Sequence, residues 1–192
     1  MGDLKSWFGA LAALLAVLAH VPYFIAILRG TNRPHIFTWI IWTLLTVIAA
    51  SAQIVGAAGP GAWSTVVTAF MCVAITAATV KKGERDITRA DWLMFAAGTA
   101  ALPVWMLTSD PLWAVVIVTV IDALAFGPTI RKSWRRPDQE NITMYAVNLV
   151  RHCLAIAAIA QYSLVTTLYP AMLLAMNMVM FVMLTSRRRA RV

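Results

Sequence analysis

Seven long runs of apolar residues, separated by short polar gaps, set the pattern of the chain. A helix that crosses about 30 Å of hydrocarbon needs roughly 20 consecutive, mostly apolar residues. Each run comes close to that length, so the pattern predicts an all-α integral membrane protein with seven transmembrane helices. The predicted helices 1 to 7 cover residues 6–28, 36–55, 62–80, 92–108, 112–130, 140–163 and 168–184.

The composition also indicates a lipid environment. Of the 192 residues, 61% are apolar and 12% are charged, and that charged fraction is about half the value of a typical soluble domain. The formal net charge of +8 would indicate nucleic-acid binding only if the basic residues formed one face of a soluble domain. Because they lie in the gaps between apolar runs, we expect no nucleic-acid partner. The sequence contains no recognisable disulfide, metal or cofactor motif.

The basic residues are distributed unevenly between the two ends of the predicted bundle. Fourteen of the sixteen lysines and arginines fall in the gaps after helices 1, 3 and 5 or in the C-terminal tail. The other side holds only Lys5, and Arg151 lies inside helix 6. The positive-inside rule places the basic side in the cytoplasm. We therefore predict a multi-pass protein of the plasma (inner) membrane, with its N-terminus outside, its C-terminus inside and its basic tail on anionic lipid.

A weak internal repeat relates the two ends of the chain. An offset of 106 residues pairs Pro22 with Pro128 and Trp42 with Asn148. Helices 1–3 and helices 5–7 are sets of equal size, and the single helix between them lets both sets insert in the same direction. Parallel repeats of this kind are a known plan of transporters with a central site.

The repeat predicts a division of the chain into two parallel three-helix bundles joined by a linker helix. The predicted units are the first repeat at 1–80, linker helix 4 with its flanking loops at 81–111, and the second repeat with the basic tail at 112–192.

This plan of three helices, one linker and three helices resembles the SWEET and PQ-loop superfamily of transporters. In that superfamily each half carries prolines in its first two helices near the cytoplasmic side, and these prolines act as hinges for alternating access. The resemblance implies the same hinge role for four prolines of this chain, Pro22, Pro34, Pro128 and Pro137.

The Pro-Gln pair of the family is absent, because Pro34 is followed by His35 and Pro137 by Asp138. Both prolines also fit the first turn of a helix, where proline is well tolerated. The other two lie inside predicted spans, where a proline removes a backbone hydrogen bond and loosens the helix.

Two ionisable residues lie at similar depths near the middle of the predicted spans. Asp122 is about ten residues into helix 5, and Arg151 is about eleven residues into helix 6 from the other side, roughly 15 Å deep at 1.5 Å per residue. Charged groups at that depth normally face a partner or a cavity. We expect the two to meet, either as a structural ion pair or as a site for a solute or a proton.

Aromatic and polar residues share one face on each of two repeat-related helices. Tyr145, Asn148 and His152 lie on one face of helix 6. The corresponding face of helix 2 carries Trp39, Trp42, Thr46 and Gln53. A shared central pocket needs flat aromatic surfaces and a few orienting polar groups. Ordinary interhelical packing with hydrogen bonds is the alternative.

Two further residues belong to the candidate site. Asn177 lies near the middle of helix 7, where the pockets of the resembled family often carry an asparagine. His20 in helix 1, together with Asp122 and His152, is a candidate proton relay, because histidine changes charge near neutral pH. A lone buried histidine is also a common packing residue.

From these features we predict a transporter of a small polar solute, charged or zwitterionic, that works by alternating access between the two halves. The alternative is a receptor similar to KDEL receptors, which share a related plan, with a peptide or a lipid head group in the same cavity. No catalytic motif is present, so we do not expect an enzyme. Seven helices can enclose their own pathway, and a homo-oligomer is compatible but not required.

Overall fold

The computed structural model describes residues 2–31, 36–82, 89–135, 137–139 and 141–189. These residues form seven α-helices and two 3₁₀ turns, and no strand occurs among them. The helices are α1 (Gly2–Leu28), α2 (Ile36–Val55), α3 (Trp63–Lys82), α4 (Arg89–Thr108), α5 (Pro111–Arg135), α6 (Ile142–Ala157) and α7 (Leu164–Arg189). The 3₁₀ turns are the α2–α3 turn (Gly59–Ala62) and the α5–α6 turn (Pro137–Gln139).

The helices have the length and the surface of a membrane protein. Five segments are long and apolar enough to cross a membrane, and α4 and α6 contribute shorter apolar segments. Large apolar side chains cover the outside of the bundle; Phe70, Leu93 and Leu107 are 71%, 72% and 86% exposed. Water would disfavour such a surface, whereas lipid tails accept it. The protein is therefore membrane-embedded. The five long segments are Asp3–Leu28, Ile36–Val55, Gly59–Lys81, Pro111–Arg135 and Leu164–Arg189.

Each predicted apolar run overlaps one α-helix; α7 is longer than predicted at both ends, and the largest difference at a single boundary is at the end of helix 6. The sequence predicts a helix over 140–163, but α6 ends at Ala157. The amide of Ala160 donates to the carbonyl of Ala58 at 2.8 Å instead of continuing the helix. At the start of α6, the Asn141 side chain accepts hydrogen bonds from two backbone amides of the first turn, which is typical of an N-terminal cap.

Helices α1 and α2 both end in a left-handed residue. Gly30 follows α1 with φ of +74°, and Ala57 follows α2 with φ of +56°. In both cases the next amide donates to the carbonyl five residues earlier, at 3.0 and 2.9 Å, which closes the helix end. Glycine adopts this conformation freely, whereas it costs an alanine roughly 1–2 kcal/mol. The packing of the connection after α2 therefore has to offset the cost of the left-handed conformation at Ala57.

The same packing order occurs in the first half (α1–α3) and in the second half (α5–α7). Helix α3 contacts both α1 and α2, and α7 contacts both α5 and α6. Between the halves, α1 packs against α6 and α2 packs against α5. The two contacts are equivalent: if α1 is exchanged with α5 and α2 with α6, the α1–α6 contact becomes the α2–α5 contact. Helix α4 packs against α5 and α2.

The two ends of the bundle differ in charge. We call the end where α1, α3, α5 and α7 terminate the basic end, and the other the opposite end. The basic end carries the exposed residues Arg29, Lys81, Arg89, Arg131, Arg135 and Arg189.

At the opposite end the two halves are in close contact. The Ala160–Ala58 hydrogen bond joins the α6–α7 connection to the α2–α3 connection. The Lys5 ammonium donates to the carbonyl of Ile159 at 2.7 Å. Gly61 has no room for a side chain, because an added Cβ would lie 2.6 Å from the Ile159 side chain and 2.8 Å from its Cα. Backbones therefore meet directly across the interface.

Two apolar clusters near the basic end belong to one half each. One consists of first-half residues, centred on Ile27, Trp39 and Ile75. The other consists of second-half residues, centred on Tyr145, Met180 and Leu184. A third cluster extends along α2 from Phe37 to Ala52 and joins it to α4, α5 and α7. The halves are thus joined along α2 and at the opposite end, and each also has its own apolar cluster toward the basic end.

The contact at Gly61 provides a test of this interface. We expect Gly61→Ala to destabilise the protein by about 1–3 kcal/mol, because a methyl group forced against backbone atoms must shift them. Gly127→Ala is the matched control, since a Cβ there meets nothing within 4 Å and alanine favours a helix. Thermal unfolding in detergent measures both. Equal melting temperatures for Gly61→Ala and wild type would contradict the close contact.

Candidate functional site

Asp122 is buried on α5 and bonded to a tyrosine of α7. Its carboxylate accepts a hydrogen bond of 2.9 Å from the Tyr169 hydroxyl, and both residues are buried. A carboxylate inside a bundle needs such a donor, because lipid supplies none. The bond ties α5 to α7 within the second half.

Arg151 is buried on α6 and contacts the first half. Its Nη1 donates to the Thr68 hydroxyl of α3 at 3.4 Å, and its Nη2 lies 3.1 Å from Nε2 of His152. A guanidinium only donates hydrogen bonds, so His152 accepts through Nε2 and carries its proton on Nδ1. The Nε of Arg151 is buried and has no hydrogen-bond partner among the described residues.

The predicted meeting of Asp122 and Arg151 is not found. Within the described part of the chain, the carboxylate is bonded to Tyr169 and the guanidinium to Thr68 and His152. The physical reason is the packing order, since α7 contacts both α5 and α6 and lies between them. The expectation that an ion pair joins α5 to α6 is therefore corrected.

Cys72 and Tyr169 connect the two charged residues. Cys72 of α3 is buried close to Thr46 of α2, and both Asp122 and Arg151 are near enough to act on its thiol electrostatically. Tyr169 is likewise in electrostatic range of Arg151. We call the residues Thr46, Thr68, Cys72, Asp122, Arg151, His152 and Tyr169 the central polar cluster. Both halves contribute to it.

The predicted aromatic residues pack within their own halves, and Trp39 shares its apolar cluster with Cys72 of the central polar cluster. Trp39 is buried, with its ring centroid 5.2 Å from that of Tyr23 and 5.1 Å from that of Trp42. Trp42 is exposed. Tyr145 is buried in the second-half apolar cluster beside Met180.

Two predicted asparagines and His20 occupy different surroundings. Asn148 is half-buried on α6. Asn177 is buried, and its side-chain amide donates to the Leu173 carbonyl of its own helix at 2.7 Å. The Nδ1 of His20 lies 2.8 Å from the Ala16 carbonyl, and Arg151 acts on this ring electrostatically. His20 thus approaches the central polar cluster from α1.

Two of the four predicted hinge prolines lie inside long helices. Pro22 lies in α1 and Pro128 in α5, each about two turns before the basic end. Pro137 instead begins the α5–α6 turn, before α6 starts, and its carbonyl accepts hydrogen bonds from Arg188 at 2.9 and 3.2 Å. Pro34 lies outside the described residues.

Sequence reasoning missed Tyr169 and gave Gln53 too little weight. Tyr169 lies five residues into α7, where a tyrosine is typical of an interfacial belt, so its position gives no signal. Gln53 is only 1% exposed, and neither atom of its amide has a partner among the described residues. It lies seven residues after Thr46 and so shares that face of α2. An unpaired buried amide is a candidate contact for water or a solute.

No protein-family model, curated protein or solved structure matches the chain. Among the described residues no three His, Cys, Asp or Glu side chains lie together in a group that could hold a metal ion.

The Asp122–Tyr169 bond can be tested by removing one oxygen atom. We expect Tyr169→Phe to destabilise the protein by about 1–3 kcal/mol, because the buried carboxylate loses its donor. Tyr162→Phe is the matched control, since its hydroxyl bonds a backbone carbonyl from an exposed position. Chemical denaturation of both variants, with Asp122→Asn to complete a double-mutant cycle, measures the coupling. Equal losses in the two tyrosine variants would contradict the assignment.

Proposed function

We propose that the chain is a transporter of a small charged or zwitterionic solute, of the SWEET and PQ-loop type. In this proposal all seven helices span the plasma (inner) membrane, with the basic end and the C-terminus in the cytoplasm. The solute passes through the central polar cluster by alternating access between the first and second halves.

The observation that carries the proposal is the position of the buried polar groups. The central polar cluster combines side chains of α2 and α3 with side chains of α5, α6 and α7, at the junction of the two halves. Buried ionisable groups in a membrane protein are costly, and they mark pathways for solutes, ions or protons. A site shared by two halves is altered when one half rocks against the other.

The different packing of the two ends supports alternating access. The halves are joined at the opposite end through Lys5, Ala58 and Ala160, and each has its own apolar cluster toward the basic end. With the basic end in the cytoplasm, this is a state closed to the outside. Pro22 and Pro128, at matching positions of the two halves, would loosen α1 and α5 during the change of state.

The separation of the charges indicates the solute class. Arg151 and Asp122 are not paired with each other, so each can interact with a solute group of opposite charge. The unpartnered Nε of Arg151 would take a carboxylate or phosphate oxygen, and Asp122 would take an ammonium group or another donor. A zwitterion satisfies both residues at once. The amide of Gln53 adds a neutral contact on the same face of α2.

The contact between Arg151 and His152 provides a route to proton coupling. His152 accepts from the guanidinium only while its Nε2 is unprotonated. A proton on Nε2 would break this bond and place two cations side by side, which would free Arg151 to bind an anionic group. If transport is constant over roughly pH 5 to 8 and insensitive to a protonophore, proton coupling is excluded.

The receptor is the second candidate, and the tail contacts favour it. Arg188 bonds the carbonyl of Pro137, and Arg187 stacks over the Trp134 ring at 4.5 Å. The tail is therefore held against the bundle, and a ligand could release it. Ligand-dependent exposure of the tail without solute flux would favour the receptor.

The solute class can be identified by thermal unfolding with a panel of sugars, amino acids, organic anions and organic cations. We expect a charged or zwitterionic compound to stabilise wild type, and the shift to be lost in Arg151→Gln and reduced in Arg151→Lys. Val150→Ala, a change at the exposed neighbouring position, should retain it. Uptake of the compound into proteoliposomes should follow the same order.

Two results of this experiment would contradict the proposal. Equal stabilisation of wild type and Arg151→Gln would remove Arg151 from the site. Stabilisation of wild type without any uptake would favour the receptor instead.

The contact at the opposite end can be locked with a disulfide. A backbone hydrogen bond joins Ala58 and Ala160, so a cysteine pair at these two positions can be tested for disulfide formation. In a Cys153→Ser background, oxidised Ala58→Cys/Ala160→Cys should lose most of its uptake, and a reductant should restore it. Each single cysteine variant is the control. Unchanged uptake in the fully cross-linked protein would show that this contact need not open.

A further inference from the structure

The basic end of α5 carries a groove on the outside of the bundle. The groove has a volume of about 360 Å³ and is lined by Gly127, Ile130, Arg131, Trp134 and Arg135. These residues recur every three or four positions, so they form one face of the helix. The central polar cluster, inside the bundle, includes none of them.

The deeper part of the groove is apolar and has open space. Gly127 is exposed, and a Cβ added there would meet no atom within 4 Å. Toward the middle of the membrane the same face continues with Leu124 and Val120, which are 66% and 52% exposed. The missing side chain of Gly127 thus leaves a notch in an apolar, lipid-facing stripe.

The outer part of the groove is cationic. Arg131 is exposed at the rim. The guanidinium carbon of Arg187 of α7 lies over the Trp134 ring, 4.5 Å from the ring centroid. The Nε of Arg187 is buried and has no hydrogen-bond partner among the described residues. An aromatic ring and guanidinium groups at the end of a spanning helix lie at the level of the lipid head groups. Guanidinium groups bind phosphate strongly at such sites.

We propose that this groove is a binding site for one anionic phospholipid. Its phosphate interacts with Arg131 and Arg187, its glycerol backbone lies against Trp134, and one acyl chain runs over the notch at Gly127. A zwitterionic lipid fits the notch equally well but adds a cationic group beside the arginines. The site therefore selects the charge of the head group. The inference depends on the membrane-embedded fold and not on transport.

Two variants address the two parts of the site separately. Arg131→Gln removes a head-group contact. Gly127→Leu fills the notch from an exposed position where an added Cβ meets no atom within 4 Å. Arg29→Gln is the matched control. It also removes an exposed arginine at the basic end of the bundle, directly after α1, but this arginine lies outside the groove. The probes are dioleoyl phosphatidylglycerol, dioleoyl phosphatidylcholine and glycerol phosphate, which has the phosphate but no acyl chain. The readouts are the melting temperature of the delipidated protein and lipid adducts in native mass spectrometry.

We expect phosphatidylglycerol to raise the melting temperature of wild type and of Arg29→Gln by several degrees more than phosphatidylcholine does. Arg131→Gln and Gly127→Leu should each lose at least half of that difference and most of the adduct. Equal shifts with the two lipids in wild type would overturn the proposal. A full shift in Gly127→Leu, or with glycerol phosphate, would show that phosphate binds without an acyl-chain site and would also overturn it.

Discussion

Hydrocarbon offers no hydrogen bonds to a buried polar side chain, and this constraint determines how the halves of the protein fit together. Asp122 obtains its donor from Tyr169 of α7, and Arg151 obtains its acceptors from Thr68 of α3 and His152 of its own helix. Two of these three bonds join different helices, and one of the two crosses from the second half to the first. Arg151 Nε and the Gln53 amide are among the buried groups that have no partner in the described residues, and they are points where a solute would gain a hydrogen bond.

The two ends of the bundle use different physical means of contact. At the opposite end, glycine and alanine bring backbones together, so that Ala58 and Ala160 share a hydrogen bond and Gly61 lies against Ile159. At the basic end each half has its own apolar cluster, and arginines occupy the surface. A few directional contacts at one end and independent clusters at the other would let the halves rock without loss of their internal packing, as the proposed transport cycle requires. The lipid site that we propose lies at the same basic end, outside the bundle.

The helices were predictable from the sequence, and the partners of the polar residues were not. Apolar length and the proline, glycine and charged gaps located each helix, because a spanning helix must be long and apolar whatever it packs against. Depth could also be counted, and Asp122 and Arg151 are both buried as expected. Depth does not specify the neighbouring helix, however. Since α7 lies between α5 and α6, Asp122 met Tyr169 instead of Arg151. The early end of α6 depended on the hydrogen bond between Ala58 and Ala160. These residues are more than a hundred positions apart in the sequence, so no local pattern predicts their contact.

The proposed transport cycle requires the two halves to open alternately at the two ends. Distances between spin labels would detect this change. One pair of labels is placed at Trp63 and Gln161 near the opposite end and one at Lys81 and Met144 near the basic end, all exposed positions. The measurement uses the Cys153→Ser background in lipid nanodiscs, with and without the solute identified by the thermal panel. We expect solute or a change of pH to lengthen the distance at one end and to shorten it at the other. Distances that stay fixed at both ends, in a sample that carries out uptake, would contradict it.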